Sequence, residues 1–178
     1  MKHHMRAWPL CTVLVASVLG QVVLPGVLLA RGLQLSGSSD PWLCAGQGAT
    51  LNGQPIHVSQ ASELKSSLLV TGFPYDRFTN PDNNLAIFSR LAVQARGMRR
   101  LGSAALDLCF LAAGRVDGYW EIRLEPWDLA AGMLIAREAG AIVTKRDGDY
   151  EMLTKPCSVV AANPVLHAKL LKAVMGIN

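Results

Sequence analysis

The sequence predicts an α/β fold in which helices pack on a mostly parallel sheet. From residue 46 onward, strand and helix signals alternate along the chain, which is the pattern of a layered α/β domain. The segment 103–113, SAALDLCFLAA, is apolar almost all round, as expected of a helix packed between layers. With 51% hydrophobic and 17% charged residues, the composition argues against disorder and indicates one globular unit with a real core.

The first half of this region contains a hairpin, a buried strand and a helix. Asn52-Gly53 lies between two short β-prone runs within residues 50–59, and this pair is a strong hairpin signal. Residues 66–71, SSLLVT, form an apolar strand that ends before Gly72. The next helix follows the polar turn 80–84, because apolar residues there share one face at helical spacing: Leu85, Phe88, Leu91, Ala92 and Ala95.

The second half alternates more clearly. A brief strand at 99–101 leads through Gly102 into the apolar helix 103–113, and residues 116–124 read as the following strand. A helix over 127–139 ends at Gly140, and a last helix over 165–175 follows Pro164. Between them the sequence predicts a hairpin of residues 141–145 with 150–153, and a buried strand at 158–162.

Residues 1–45 differ from the rest, so we divide the chain into an atypical apolar segment with linker at 1–45 and an α/β domain at 46–178. Residues 7–30 contain no charged residue and follow Lys2 and Arg6, which is the outline of a signal peptide or membrane span. Pro25-Gly26 would interrupt such a helix, which leaves buried strand or irregular core as the rival interpretation. A third interpretation is that this stretch is not the natural start of the domain. Residues 31–45 read as an unpatterned linker.

Charge and cysteine usage exclude several classes of function. The net charge of +4 is spread along the chain without a basic block, which argues against a nucleic-acid partner. The four cysteines stand far apart with no C-x-x-C pair, which argues against a zinc site and favours buried or incidental thiols in a reducing compartment. We therefore expect a cytoplasmic protein, although the apolar run at 7–30 leaves membrane association open.

Two strand-to-helix junctions are candidate binding sites, because backbone N–H groups at the start of a helix attract anions. At Gly102-Ser103-Ala104 a strand passes through glycine into a helix, although the glycine alone would also turn the chain. At Asp128 a second helix begins with a carboxylate, which an ordinary N-cap would explain equally. Glu121 lies on the strand leading to Asp128, on the same face as Tyr119 and Arg123, as either a pocket residue or a solvated one.

These residues carry a resemblance to a known family. The run GSAALDLCFLAAGRVDGYWE at 102–121, followed by PWDLAAGMLIAREAG at 126–140, resembles the C-terminal signature of the inositol monophosphatase family. The similarity extends back through LVTGFP at 69–74 and the glycine-rich run at 46–53, so that it covers about three quarters of the chain.

The resemblance implies a magnesium-dependent phosphomonoesterase with a layered α/β/α/β/α fold, of which this chain would be the C-terminal half. Asp128 would be a metal ligand beside the substrate. Gly102, Ser103 and Ala104 would line the substrate, and Glu121 would accept one of its hydroxyl groups. The substrate would be inositol monophosphate or a related sugar phosphate.

The chain departs from the family pattern in its first part. The family's other metal ligands come from an upstream glutamate and a D-P-x-D-G-T motif. Residues 1–45 contain no glutamate, and Asp40-Pro41 is followed by Trp-Leu-Cys. One carboxylate cannot hold magnesium in octahedral geometry, so we expect a truncated chain that is inactive alone. The alternatives are a superfamily phosphatase for fructose bisphosphate or a 3'-phosphonucleotide, and a non-catalytic fragment or packing module. The oligomeric state, including a homo-oligomer, stays open.

Overall fold

The computed structural model describes residues 33–35 and 48–177, which form two sheets and four α-helices. The smaller sheet is antiparallel and contains β1 (Leu33–Leu35), β2 (Ala49–Leu51) and β3 (Gln54–Ile56) in that order. The larger sheet contains β4 (Leu68–Thr71), β5 (Gly97–Arg99), β6 (Gly118–Leu124), β7 (Ile142–Thr144) and β8 (Cys157–Ala162). The helices are α1 (Leu85–Ala92), α2 (Ala104–Ala112), α3 (Pro126–Glu138) and α4 (Pro164–Met175), and a 3-10 turn (Leu64–Ser66) precedes β4.

Helices cover both faces of the larger sheet, which confirms the predicted α/β class. One buried cluster joins α2 and α3 to the face of β6 that carries Tyr119. A second cluster joins α1 and α4 to the opposite face, which carries Trp120. Neighbouring residues of a strand point to opposite faces, so β6 contributes a fully buried aromatic side chain to each core. β6 is thus packed on both faces, and it carries one candidate site residue, Glu121, at its middle.

The larger sheet confirms the predicted mostly parallel arrangement, since four of its five strands run in one direction, and it is mixed because β8 runs in the opposite one. The strand order is β5-β4-β6-β8-β7, and β4 pairs in parallel with both β5 and β6. β8 pairs antiparallel with both β6 and β7. The physical reason lies in the connection from β7 to β8, which contains no helix to carry the chain across the sheet. The chain therefore returns beside β7 in the opposite direction.

Two local predictions about pairing are wrong. Residues 150–153 form turns instead of the second strand of a hairpin, and β7 pairs with β8. Residues 31–45 are not an unpatterned linker throughout, because Leu33–Leu35 pairs with β2 as the edge strand of the small sheet. The apolar run 7–30 lies outside the described residues. The division of the chain at residue 45 stays a prediction.

Several sequence signals are confirmed in detail. Asn52 and Gly53 connect β2 to β3 with φ of 53° and 78°, the left-handed pair that a tight hairpin of this kind needs. Pro164 begins α4, and the Asn163 side chain accepts hydrogen bonds from the Val165 and Leu166 backbone N–H groups. Cys109 and Cys157 are buried free thiols. No helix in the described part of the chain is long and apolar enough to cross a membrane.

Candidate functional site

Tyr119 and Glu121, the second and fourth residues of β6, project from the same face of the strand. The Tyr119 hydroxyl donates a hydrogen bond to Glu121 Oε2 at 2.6 Å. Tyr119 is fully buried, whereas Glu121 is partly exposed. Burial raises the pKa of the Glu121 carboxyl, the Tyr119 hydrogen bond lowers it, and the charge of Asp128 raises it further. The charge of Asp128 thus acts on the Glu121 carboxyl, and the expectation that both carboxylates face one cleft stays a prediction.

Gly72, the residue after β4, lies directly against the Glu121 carboxylate. A β-carbon built on Gly72 would stand 2.0 Å from Glu121 Oε1 and 2.2 Å from Cδ. Atoms that are not bonded to each other do not approach so closely, so only glycine leaves room for the carboxylate in this position. The parallel pairing of β4 with β6 creates the contact, since Thr71 lies opposite Trp120 and the next residues of both strands meet.

Behind Gly72, a buried polar network fixes the backbone. The Asn84 side-chain amide donates to the Gly72 carbonyl at 2.6 Å and to Thr71 Oγ1 at 2.9 Å. The Trp120 indole N–H donates to Asn84 Oδ1 at 2.8 Å, and the Thr71 hydroxyl donates to the Trp120 carbonyl at 2.6 Å. All three side chains are buried, so these bonds replace water and hold the loop after β4 against β6.

We predict that Asn84→Ala lowers the free energy of unfolding by roughly 3 kcal/mol. The substitution leaves the Trp120 indole N–H and the Gly72 carbonyl buried without partners, and each such group costs about 1–3 kcal/mol. Chemical denaturation monitored by tryptophan fluorescence measures the change. Asn80→Ala is the matched control, because Asn80 is only partly buried and bonds only within its own loop, to Asp76 and Asp82. Equal losses in both variants would contradict the account.

Asp128 is the third residue of α3, the helix-start position that the sequence predicts. Its Oδ2 accepts a hydrogen bond from the Glu125 backbone N–H at 3.0 Å and forms a capping box with the Glu125 side chain. The N-cap of α3 is Glu125, so the interpretation of Asp128 as the N-cap itself is wrong, because it is the third helical residue of the capping box. This capping role is structural. It does not exclude a second role, because Asp128 is only partly buried and its other oxygen has no hydrogen bond to a described residue.

The junction at Gly102 starts α2 in a way that leaves its backbone accessible. Gly102 has φ of 95°, and a β-carbon built on it would meet open space. The left-handed conformation explains the glycine, and the open space leaves the backbone approachable. The Ser103 hydroxyl makes no capping hydrogen bond, and Ala104 is the first residue of α2. No described hydrogen bond joins these three residues to Glu121 or Asp128, so their shared role with those residues stays a prediction.

Sequence reasoning missed Asp107, which lies one turn into α2. Its backbone N–H donates to the Ser103 carbonyl, and its side chain is 1% exposed. Neither carboxyl oxygen has a hydrogen-bond partner within the described ranges. Burial, with a smaller effect from the Glu121 charge, raises the pKa of Asp107 from 3.8 to about 7. The available signal was a single acidic residue within an otherwise apolar helix.

The arginines near the site have separate roles. Arg123, which strand alternation places on the Glu121 face, lies at a bulge with φ of 60° and forms an ion pair with Asp76 at 2.7 Å. The bulge interrupts the strand alternation at this residue, and the Arg123 side chain bonds to the loop after β4. Arg100 is exposed, stacks 5.8 Å above the Phe73 ring, and its charge lowers the pKa of Glu121.

The described residues do not form a complete metal site. No group of three or more histidine, cysteine, aspartate or glutamate side chains in residues 33–35 and 48–177 could hold an ion. Asp128 can supply one oxygen ligand, whereas magnesium requires several in octahedral geometry. The residues that the structure describes therefore do not supply a metal site by themselves.

The fold and this site define the class of protein to which the chain belongs. A model of the inositol monophosphatase family matches residues 3–178, and the chain belongs to that family. Members of this family are metal-dependent phosphatases, which are hydrolases that act on phosphoric monoesters.

Particular relatives are similar over the described domain. The chain is 49% identical over 126 residues to an inositol-1-monophosphatase of Synechocystis, covering 71% of this chain and 44% of the relative. It is 46% identical over 131 residues to the chloroplastic phosphatase IMPL1 of Arabidopsis thaliana, covering 73% and 35%. The solved inositol monophosphatase from Anabaena superposes with a TM-score of 0.70 at 49% identity, covering 76% and 53%. The matched region thus spans less than half the length of the Synechocystis and Arabidopsis relatives and about half of the Anabaena chain.

Proposed function

We propose that this chain carries the substrate side of a magnesium-dependent phosphatase that hydrolyses inositol monophosphate or a related sugar monophosphate. The observation that supports this most directly is the Glu121 carboxylate, which Tyr119 holds in the middle of β6 within range of the Asp128 charge at the start of α3. A carboxylate held in one place suits recognition of a substrate hydroxyl, and a neighbouring carboxylate at a helix start suits one side of a metal site.

The three residues at the start of α2 have the complementary role in this proposal. Gly102, Ser103 and Ala104 line the substrate through backbone groups and the Ser103 hydroxyl. The accessible backbone at Gly102 and the uncapped Ser103 hydroxyl support this assignment. Since N–H groups at the start of a helix are unpaired within it, they bind anions such as a phosphate ester. The natural ligand is thus a small phosphorylated metabolite. We expect the protein itself to be cytoplasmic.

Magnesium would be bound by Asp128 together with ligands that residues 33–35 and 48–177 do not supply. When bound, the ion supplies charge that polarises a phosphoryl oxygen and the attacking water. We infer that the chain alone does not hydrolyse phosphomonoesters. A non-catalytic fragment is the second candidate function, and the incomplete set of metal ligands favours it for the isolated chain.

A substrate panel tests the proposed specificity. In the "completed chain", the upstream region of the Synechocystis relative is fused ahead of residue 48 of this chain. We expect it to release phosphate from inositol 1-phosphate with higher kcat/KM than from fructose 1,6-bisphosphate or a 3'-phosphonucleotide. Glu121→Gln should reduce this preference, because it removes the charge that accepts the hydroxyl. A preference for either other substrate would reassign the chain within the superfamily.

A further inference from the structure

We propose that Gly72 and Tyr119 are positioning residues that fix the Glu121 carboxylate with one free oxygen, and that position 72 thereby determines which polyols the site accepts. This inference rests on the proposed function, because it assumes that Glu121 accepts a substrate hydroxyl. It adds a specificity-determining position in the loop after β4, a segment that contains no other candidate site residue.

The first step is the contact between Gly72 and the carboxylate. A β-carbon at position 72 would lie 2.0 Å from Glu121 Oε1, 2.4 Å from Oε2 and 2.2 Å from Cδ. Carbon–oxygen contacts between unbonded atoms lie above about 3 Å, so the carboxylate would have to move by at least about 1 Å. The contact involves all three carboxyl atoms, and a small rotation of the group therefore does not relieve it.

If a side chain is introduced at position 72, the Glu121 carboxylate moves and the Gly72 backbone does not. The backbone at Gly72 cannot withdraw, because its carbonyl accepts the Asn84 amide and the preceding residue is paired within the sheet. Asn84 is itself held by the Trp120 indole N–H. Glu121 is partly exposed and its side chain has rotatable bonds, so it yields before the backbone does. Any side chain at position 72 thus displaces the Glu121 carboxylate from its present position.

The third step concerns the two oxygens of the carboxylate. Oε2 accepts the Tyr119 hydroxyl at 2.6 Å, while no described group donates to Oε1. Tyr119 is fully buried, so its hydroxyl has a fixed direction and the carboxylate is held in one orientation. The site therefore offers one acceptor atom at one place, which suits a hydroxyl of a neutral polyol ring at a matching position.

The substrate hydroxyl and the substrate phosphate are therefore bound by different residues: Glu121 accepts the hydroxyl, whereas the start of α2 and Asp128 face the phosphate. A change at position 72 alters where Oε1 stands, while the start of α2 and Asp128 keep their positions. A substitution at position 72 should then lower the affinity for a polyol by the amount that the hydrogen bond to Glu121 contributes. Hydrolysis of a phosphomonoester without hydroxyl groups, such as p-nitrophenyl phosphate, should change little in the completed chain.

The test measures binding of myo-inositol to the full chain by NMR titration, which requires no catalysis. We expect Glu121→Ala and Gly72→Ala each to weaken binding by about tenfold or more, the scale of losing a hydrogen bond to a charged group. In the Glu121→Ala background, Gly72→Ala should add nothing, because it acts through that carboxylate. Gly97→Ala is the matched control, since its β-carbon would lie 3.6 Å from Leu68 Cδ1, an ordinary contact.

Tyr119→Phe provides a second variant that keeps the packing and removes only the hydrogen bond. We expect Tyr119→Phe to lower the affinity for myo-inositol about three- to tenfold. This variant tests the inference even if Gly72→Ala does not fold. Unchanged binding in Gly72→Ala or Tyr119→Phe, alongside weakened binding in Glu121→Ala, would overturn the inference and leave the proposed function intact. Unchanged binding in Glu121→Ala would overturn both the hydroxyl assignment and the inference built on it.

Discussion

Replacing Asp128 by asparagine should reduce phosphate release by the completed chain about 100-fold or more. The substitution removes a negatively charged oxygen ligand, and changes to residues that merely orient metal ligands already cost 10- to 100-fold. Asparagine keeps a side-chain oxygen that can accept the Glu125 backbone N–H, so the start of α3 should be preserved. Steady-state kinetics at several magnesium concentrations measures the effect.

The same substitution in the original chain should change nothing measurable, because a single carboxylate does not create a magnesium site. Asp147→Asn, in the exposed turn after β7, is the control for replacing an aspartate elsewhere. Full activity of the completed chain with asparagine at position 128 would contradict the assignment of that residue as a metal ligand.

Asp107→Asn should stabilise the fold at neutral and alkaline pH. The pKa of Asp107 is 3.8 in the unfolded reference and about 7 in the fold, where burial opposes ionisation. Because the folded state holds this proton more tightly, the stability it contributes is complete below about pH 4 and is lost as the pH rises through 7. The difference between these pKa values corresponds to a loss on the order of 4 kcal/mol.

Denaturation at pH 4.5 and pH 8 measures this effect. The advantage of Asp107→Asn over the unmodified chain should be small at pH 4.5 and grow by roughly 2–4 kcal/mol by pH 8. The cost of burying the asparagine amide does not depend on pH. It therefore cancels when the stability difference at pH 4.5 is subtracted from that at pH 8. An advantage that stays constant across this range, or that falls as the pH rises, would contradict a buried protonated carboxyl at position 107.

Much of the fold follows from local signals. The Asn52-Gly53 turn, Pro164 at the start of α4 and the apolar pattern of α2 each specify their element within a few residues. The direction of β8 does not follow from such signals, because its apolar sequence suits a buried strand in either direction. What decides the direction is the absence of a helix between β7 and β8.

Some residues of the candidate site can likewise be predicted from local sequence, and others depend on contacts between distant parts of the chain. Asp128 and Glu121 are found in the sequence because a helix start and strand alternation place them, and the family resemblance suggests their roles. Gly72 and Asn84 could not be found by pattern, since their importance depends on contacts with β6, far along the chain. Arg123 was misplaced because a bulge interrupts the alternation on which its predicted position depends.

Phosphate release from inositol 1-phosphate by the original chain and the completed chain, assayed side by side with saturating magnesium, tests whether the chain lacks part of the metal site. We expect no release above buffer by the original chain, and magnesium-dependent turnover by the completed chain that stops on chelation. Turnover by the original chain that is lost on chelation and on Asp128→Asn would contradict the claim, because its own residues would then form the whole metal site.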